Sequence, residues 1–476
     1  MTSDNAAGMR AILDVQKAAH IRDGAPSAEL RIDRINRCIS QLVKYQREIC
    51  DALAADFGHR SKDQSAFTDI AGSLAPLKHS RAHLKKWMKP EKRRAEFPLN
   101  LLGAGARLEF QPKGSVGIIS PWNFPVQLTF APLANILAAG NRAMIKPSEF
   151  TEATSALIER MIAEVFDESE IAVVTGGPEV GAAFSGLPFD HLIFTGATSI
   201  AHHVMRAASE NLVPVTLELG GKSPVIIGRS ADMDKTAARV MAGKTMNAGQ
   251  ICLAPDYVIA PDERVGEFVE AARRSIETMF PSGLKDNDDY TSVINQRHYD
   301  RLQGYLEDAR SKGAEIVELN PTGDAFEQQP HHKIPPTLIL NPSSDMDVMK
   351  DEIFGPLLPV KSYHVVDEAV DYINAHDRPL GLYYFGSDKH EERRILNATT
   401  SGGVTVNDVI FHVGQEDLPF GGIGPSGMGA YHGRDGFLEF SHRKSIFRQT
   451  GFEILSFLRP PYGKMFKNQL ESRLKD

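Results

Sequence analysis

Cysteine is scarce, with three residues in a chain of 476. That number is odd and far too small for a disulfide framework, which excludes a stapled secreted scaffold and fits a reducing compartment. Cys38 and Cys50 fall within one helical pattern and read as core filler, since buried cysteine behaves as a small hydrophobe. Nowhere is there an uninterrupted apolar run of membrane-spanning length, and the end from Asn468 to Asp476 is charged, so no membrane anchor is expected. Met1 to Arg22 lacks the basic start, apolar stretch and small-residue cleavage site of a secretory signal, which makes the cytoplasm the expected location. Charge of one sign is not concentrated either. The net charge of -8 is spread along the sequence with no long basic run, which argues against a nucleic-acid partner and for a small-molecule ligand. The 16 histidines form no metal set: His202-His203 lie in a helical stretch and His331-His332 in a Pro-rich loop, neither near a cysteine in ligand spacing. A G-x-S-x-G elbow, internal repeats and low-complexity tracts are all missing.

What is present is ordinary globular composition, 42% hydrophobic and 24% charged, at a length that suits two or three domains. Ile32, Ile35, Ile39 and Leu42 recur at helical spacing and predict a helix from about Ala28 to Phe57, between Pro26 and Gly58. A second helical stretch ends in Lys85, Lys86, Lys89, Lys92, Arg93 and Arg94, read as a solvated helix end and loop. From Ser115 short apolar strands alternate with helical segments: Val116 to Ser120, Ala143 to Lys146, Ile171 to Val174, His191 to Phe194 and Pro214 to Leu219. This is the pattern of a parallel sheet covered by helices, an α/β fold. Asn123 and Pro125 supply cap and first-turn signals for one of these helices, and Ser148 for the next. The alternation resumes beyond Gly220, with strands near Tyr257, Ile316, Thr337, Leu358, Tyr384 and Val404. Pro419 to Gly429 is too rich in glycine and proline for an element interior, while Leu101 to Gln111 and Phe440 to Phe447 read as extended arms.

Ligands of such sheets bind beyond the carboxyl ends of the strands, where Asn123, Lys146, Thr195 and Glu218 all fall. Cys252 stands at a bend, after a helical run and an Ala248-Gly249 break and before Pro255. Only about 3% of an unperturbed thiol is ionised at pH 7, so a nucleophilic role would need help from its surroundings. Glu218 ends an apolar strand beside Gly220-Gly221, where little side-chain bulk would obstruct a ligand; it is either a base or a carboxylate paired with Lys222. Asn123 offers an amide donor for an oxyanion or a helix cap. Lys146 and Glu149 could hold ribose hydroxyls, and Thr195-Gly196-Ala197 could meet a pyrophosphate at a helix start.

Pro121-Trp122-Asn123-Phe124-Pro125, Lys146-Pro147-Ser148-Glu149, Phe194-Thr195-Gly196, Glu218-Leu219-Gly220-Gly221-Lys222, Gly249-Gln250-Ile251-Cys252, Glu352-Ile353-Phe354-Gly355-Pro356 and Pro419-Phe420-Gly421-Gly422 occur in this order over nearly the whole chain. Together they resemble the NAD(P)-dependent aldehyde dehydrogenase superfamily. The resemblance implies a Rossmann-type cofactor domain (1–93 and 113–219), an α/β catalytic domain (220–422) and bridging arms (94–112 and 440–452). It implies Cys252 as nucleophile, Glu218 as the base that hydrolyses a thioester, and Asn123 as oxyanion donor. NAD, with NADP as a second possibility, would be held by Ser120, Pro121, Trp122, Lys146, Ser148, Glu149, Thr195, Gly196, Ala197, Leu219, Glu352 and Phe354. Gly429-Ala430-Tyr431-His432-Gly433 resembles the class-three branch, whose members commonly form homodimers. Phe57-Gly58-His59-Arg60-Ser61 and Trp87-Met88-Lys89-Pro90 are similar to coniferyl aldehyde dehydrogenases, which implies an aromatic aldehyde substrate with Phe124 and Phe420 as pocket walls. A medium-chain aliphatic aldehyde, acyl transfer to coenzyme A, or a catalytically silent binding scaffold are the alternatives. The chain departs from the family's usual Gly-Ser-Thr-x-x-Gly turn: Ala197 lacks a hydroxyl donor and Ala201 adds a methyl.

Overall fold

A computed structural model describes residues 2–97, 99–451, 453 and 455–475, with the side chains of 2–5 left aside. Met1, Pro98, Phe452 and Asp476, which belong to the expected domain, arms and charged end, lie outside the described residues.

The five apolar runs of the first half form one parallel sheet in the order Val215–Glu218, His191–Thr195, Ser115–Ile119, Arg142–Lys146 and Ile171–Val173. Its strands are covered on both faces, which is why they are apolar throughout rather than alternating. Strand order runs outward in both directions from Ser115–Ile119, and the register pairs Ile119 with Lys146 and Thr195 with Glu218. The carboxyl ends therefore share one edge, and that edge carries the polar residues. Under the sheet lies the helix Gln127–Ala139, whose Leu128, Phe130, Leu133, Ile136 and Leu137 are all buried, so it is apolar around its whole circumference.

A second sheet has seven strands, in the order Glu315–Glu318, Thr337–Leu340, Leu357–Tyr363, Tyr257–Pro261, Pro224–Ile227, Gly381–Phe385 and Gly403–Val406, all parallel except the first pair. The strand Pro224–Ile227 was not anticipated, because it follows the previous strand with too short a break for the alternation to show. A third, antiparallel sheet joins Glu91–Arg93, Gly105–Pro112 and Ser441–Arg448. The basic cluster thus ends in a short strand rather than a loop, and the first arm begins at Gly105 after a 3₁₀ turn at Leu99–Leu102.

Three further expectations are corrected. The first helix is two, Ala28–Lys44 and Gln46–Asp56, broken at Tyr45, whose hydroxyl donates to Glu164 at 2.8 Å. Neither Asn123 nor Ser148 caps a helix. Asp69 Oδ1 accepts from the N–H groups of Val126 and Gln127, and the Asp56 carboxylate from Ala153 and Thr154, so remote carboxylates satisfy both helix starts. Within the Gly-rich segment, Gly427–Met428 pairs antiparallel with Leu217 and Glu218 and adds a sixth strand to the first sheet. A Cβ at Gly427 would lie 2.3 Å from the Leu217 carbonyl oxygen, so only glycine allows this approach.

Candidate active site

The edge of the first sheet faces the turn that follows helix Met233–Thr245. Asn247 and Ala248 there both have positive φ, 48° and 50°, which reverses the chain and sets Cys252 in a turn at the junction of the two sheets. The turn is pinned by amides: Asn247 Nδ2 donates to the carbonyls of Asn123 and Gln250, each at 3.2 Å, and Gln250 Nε2 to Asn247 and Ser292. Asn123 Nδ2 donates to the same Gln250 carbonyl at 3.2 Å, so the Asn123 loop and the Cys252 loop are tied together.

Cys252 is half-buried, whereas Cys38 and Cys50 are buried. Burial, with the charges of Glu352 and then Glu218 added, pushes its thiol above the usual range. Glu218 is buried, and among the described residues neither of its carboxylate oxygens is hydrogen-bonded. Burial, and then the charge of Glu439, raises it well above an ordinary carboxyl. It does not pair with Lys222, which binds Asp256 and the carbonyls of Val348 and Asp351 instead. A buried carboxyl without a partner is costly to fold, which makes Glu218 a candidate for chemistry. The space expected beside Gly220 is not open to a ligand. A Cβ there would stand 2.2 Å from Glu352 Oε1, so this glycine makes room for a second carboxylate. Glu352 is itself raised to about 8, by burial and then by Asp256.

Along the sheet edge, Ser120 accepts from Thr129 Oγ1 at 2.7 Å, and Lys146 Nζ bridges to Glu149 at 2.6 Å. Ser148 Oγ accepts from the Phe150 N–H. Leu219 is buried, its N–H bonded to the Ser426 carbonyl. Gly196 spends its N–H on the Glu218 carbonyl, which leaves the phosphate-type donors of the turn to Ala197 and the first residues of helix Thr198–Ser209. Trp122, next to Pro121, lies 5.3 Å from Phe354 and 5.2 Å from His298, ring to ring. A dinucleotide fits this edge: it offers a Lys–Glu pair for ribose hydroxyls, a free helix start for phosphate, and the orphaned Glu352 Oε1 as a hydroxyl acceptor. Phe124 packs under the Arg60 guanidinium and Phe420 stacks on His432, both rings being buried. Among the described residues, no group of three His, Cys, Asp or Glu could hold a metal ion.

Sequence reasoning missed Arg60 as a neighbour of Asn123, Asp69 as the acceptor at the following helix start, Gln64 and the Asn247 side chain as pins of the Cys252 loop, and Glu439 as a neighbour of the Glu218 strand. Arg60 stood in a quoted motif, but nothing local announced its partners.

A parallel sheet carrying a dinucleotide-type edge, met by a second α/β layer whose turn holds a half-buried thiol, is the arrangement of a nucleotide-binding α/β enzyme. The profile of the Aldehyde dehydrogenase family matches residues 3–446, and the chain belongs to that family. It is 65% identical to the probable coniferyl aldehyde dehydrogenase of Caulobacter vibrioides, over 98% of this chain and 97% of that one. It is 55% identical to the coniferyl aldehyde dehydrogenase of Pseudomonas sp. strain HR199, over 95% and 93%. Among solved structures, the substrate-bound state of Staphylococcus aureus AldH superposes with a TM-score of 0.91 at 35% identity, covering 98% of this chain and 99% of that one. The Mycobacterium tuberculosis aldehyde dehydrogenase complexed with NAD+ gives 0.83 at 26% identity, covering 94% and 92%. Among the described residues, no helix is long and apolar enough to cross a membrane.

Proposed function

We propose that the protein oxidises an aromatic aldehyde, coniferyl aldehyde foremost, to its carboxylic acid, with Cys252 as nucleophile, Glu218 as base and Asn123 as oxyanion donor. The observation that carries this division of labour is the buried Glu218 carboxyl, with neither oxygen partnered among the described residues, at the edge of the sheet whose Asn123 loop is tied to the loop of the half-buried Cys252. The choice of aldehyde is supported by the names of the relatives at 65% and 55% identity.

The Cys252 thiol gives up its proton to water, and the thiolate adds to the aldehyde carbon. Negative charge then gathers on the carbonyl oxygen, where the Asn123 amide and the Cys252 N–H donate to it. One Asn123 amide hydrogen is committed to the Gln250 carbonyl, which fixes the amide plane and leaves the other hydrogen for the oxyanion. NAD(P)+, when bound, would supply the hydride acceptor, and Ser120, Pro121, Trp122, Lys146, Ser148, Glu149, Thr195, Gly196, Ala197, Leu219, Glu352 and Phe354 would hold it. The acyl group is left as a thioester on Cys252. Glu218 takes a proton from water, hydroxide adds to the thioester carbon, and the C–S bond breaks to release the acid and the thiolate. Phe124 and Phe420 serve as walls of the aldehyde pocket.

NAD is the preferred cofactor, because the Glu149 carboxylate would repel a ribose 2′-phosphate. The domains are assigned as 1–93 with 113–219 for cofactor and 220–422 for catalysis, with arms 94–112 and 440–452. Among the described residues, the eight-residue strand Ser441–Arg448 has one edge unpaired. Exposed strand edges invite pairing, which supports a homodimer built on these arms. Three free cysteines support a cytoplasmic location.

NADH formation from coniferyl aldehyde, cinnamaldehyde, benzaldehyde and hexanal tests the reading. Turnover is expected to be highest with the aromatic set and to vanish in Cys252→Ala while NAD binding persists. Undiminished turnover in that variant removes Cys252 from the mechanism, and a preference for hexanal overturns the substrate assignment.

A further inference from the structure

Beneath the Trp122–Phe124 loop lies an ion pair that the mechanism above does not use. Arg60 and Asp69 are both wholly buried, with Nη2 and Oδ2 2.7 Å apart. Each also holds one end of the Asn123 loop. Arg60 Nη1 donates to the Asn123 carbonyl at 3.0 Å, and Asp69 Oδ1 accepts from the N–H groups of Val126 and Gln127 at 3.2 and 3.3 Å. The guanidinium lies over the rings of Phe57 and Phe124, at 4.7 and 5.2 Å, and so fills the space under the loop.

The same segment reaches the nucleophile's loop. Gln64 Oε1 accepts from the N–H of Asn247, the residue whose side chain binds both the Asn123 and Gln250 carbonyls. Asp69 itself sits in a π-helical turn, Ala66–Ala71, a local widening that is frequent at functional sites. As a stabilising device the pair is poor. Among the described residues Arg60 Nε has no acceptor, and a fully buried ion pair generally stabilises no better than apolar residues of the same volume. What it supplies is direction: a rigid fork that sets the height of the Asn123 backbone and, through it, the plane of the amide.

We propose that Arg60 and Asp69 are positioning residues that aim the Asn123 amide at the oxyanion. The inference rests on the reading of Asn123 given above. Lysine at position 60 keeps the charge but replaces the planar two-nitrogen fork, whose Nη1 and Nη2 serve the Asn123 carbonyl and Asp69 separately, by a single ammonium, so it separates positioning from charge. The experiment measures the pre-steady-state NADH burst, steady-state turnover, NAD affinity and thermal midpoint for Arg60→Lys, Asn123→Ala and the double variant.

Asn123→Ala is expected to slow the burst by about 10²- to 10³-fold, the cost of one lost oxyanion donor. Arg60→Lys should slow it by about tenfold, with NAD affinity unchanged, and should cost nothing further in the Asn123→Ala background. Multiplying losses in the double variant, or a lower thermal midpoint with a wild-type burst, overturns the proposal and assigns the pair to folding alone. An unaffected burst in Asn123→Ala overturns the oxyanion reading itself and is thereby distinguished. If Arg60→Lys does not fold, Asp69→Asn, which keeps an acceptor for the helix start but removes the ion pair, is carried through the same cycle with the same expected pattern.

Discussion

Glu218→Gln should make the protein more stable and less active at once. The substitution is nearly isosteric and breaks no hydrogen bond, because neither carboxylate oxygen has a partner. It removes a carboxyl that burial and Glu439 hold well above 4.5. In the unfolded chain that carboxyl ionises near 4.5, whereas in the folded protein it keeps its proton to higher pH. Below pH 4.5 both states are protonated and the variant gains nothing. Above it, only the unfolded state has released the proton, so wild-type stability falls as pH rises until the native carboxyl also ionises. The variant's advantage should grow by about 1.4 kcal/mol per pH unit across that window. Denaturant titrations of both proteins at pH 5 and pH 7.5 read this directly.

Activity moves the other way. A general base contributes about 10²- to 10⁴-fold, or about 2.7 to 5.4 kcal/mol of barrier, and here it acts only on hydrolysis of the thioester. Mixed rapidly with aldehyde and NAD, the variant should release one NADH per site at nearly the wild-type rate and then stall. Equal losses in burst and steady state would refute the assignment of Glu218 to hydrolysis. A stability gap that does not widen between the two pH values would refute its burial as a proton-holding carboxyl.

Glu149→Gln removes the charge facing the expected 2′-phosphate position, and the ratio of kcat/KM for NADP over NAD should rise about tenfold; an unchanged ratio assigns selectivity elsewhere. Asp56→Ala strips the cap from helix Glu152–Ala163 and should cost about 1 kcal/mol of unfolding free energy without touching kcat, measured by urea denaturation. Glu352→Gln should weaken NAD binding by about 3- to 10-fold with little change in the burst rate at saturating NAD, as expected for one weakened hydrogen bond to an uncharged carboxyl.

By itself the sequence determined the α/β class, the succession of strands along the chain from Ser115 to Glu218, and the residues at their carboxyl ends, while their order in the sheet came from the tertiary structure. Strands buried on both faces must be apolar along their length, so they are visible as runs, and a polar residue closing such a run is visible as an exception. It also determined that Cys252 stands at a bend, because glycine and proline mark turns locally. The tertiary structure alone decided who stands beside whom. Asp69 and Asp56, not Asn123 and Ser148, satisfy the helix starts, because an orphan N–H takes any carboxylate that folding brings within reach. Glu352 fills the place beside Gly220, Lys222 turns away from Glu218, and Arg60 meets Asn123, because side-chain pairing across long chain separations leaves no periodic trace. The raised carboxyl of Glu218 belongs to the same class: its identity is written in the chain, but its protonation follows from exclusion of water, which exists only once both sheets have closed over it.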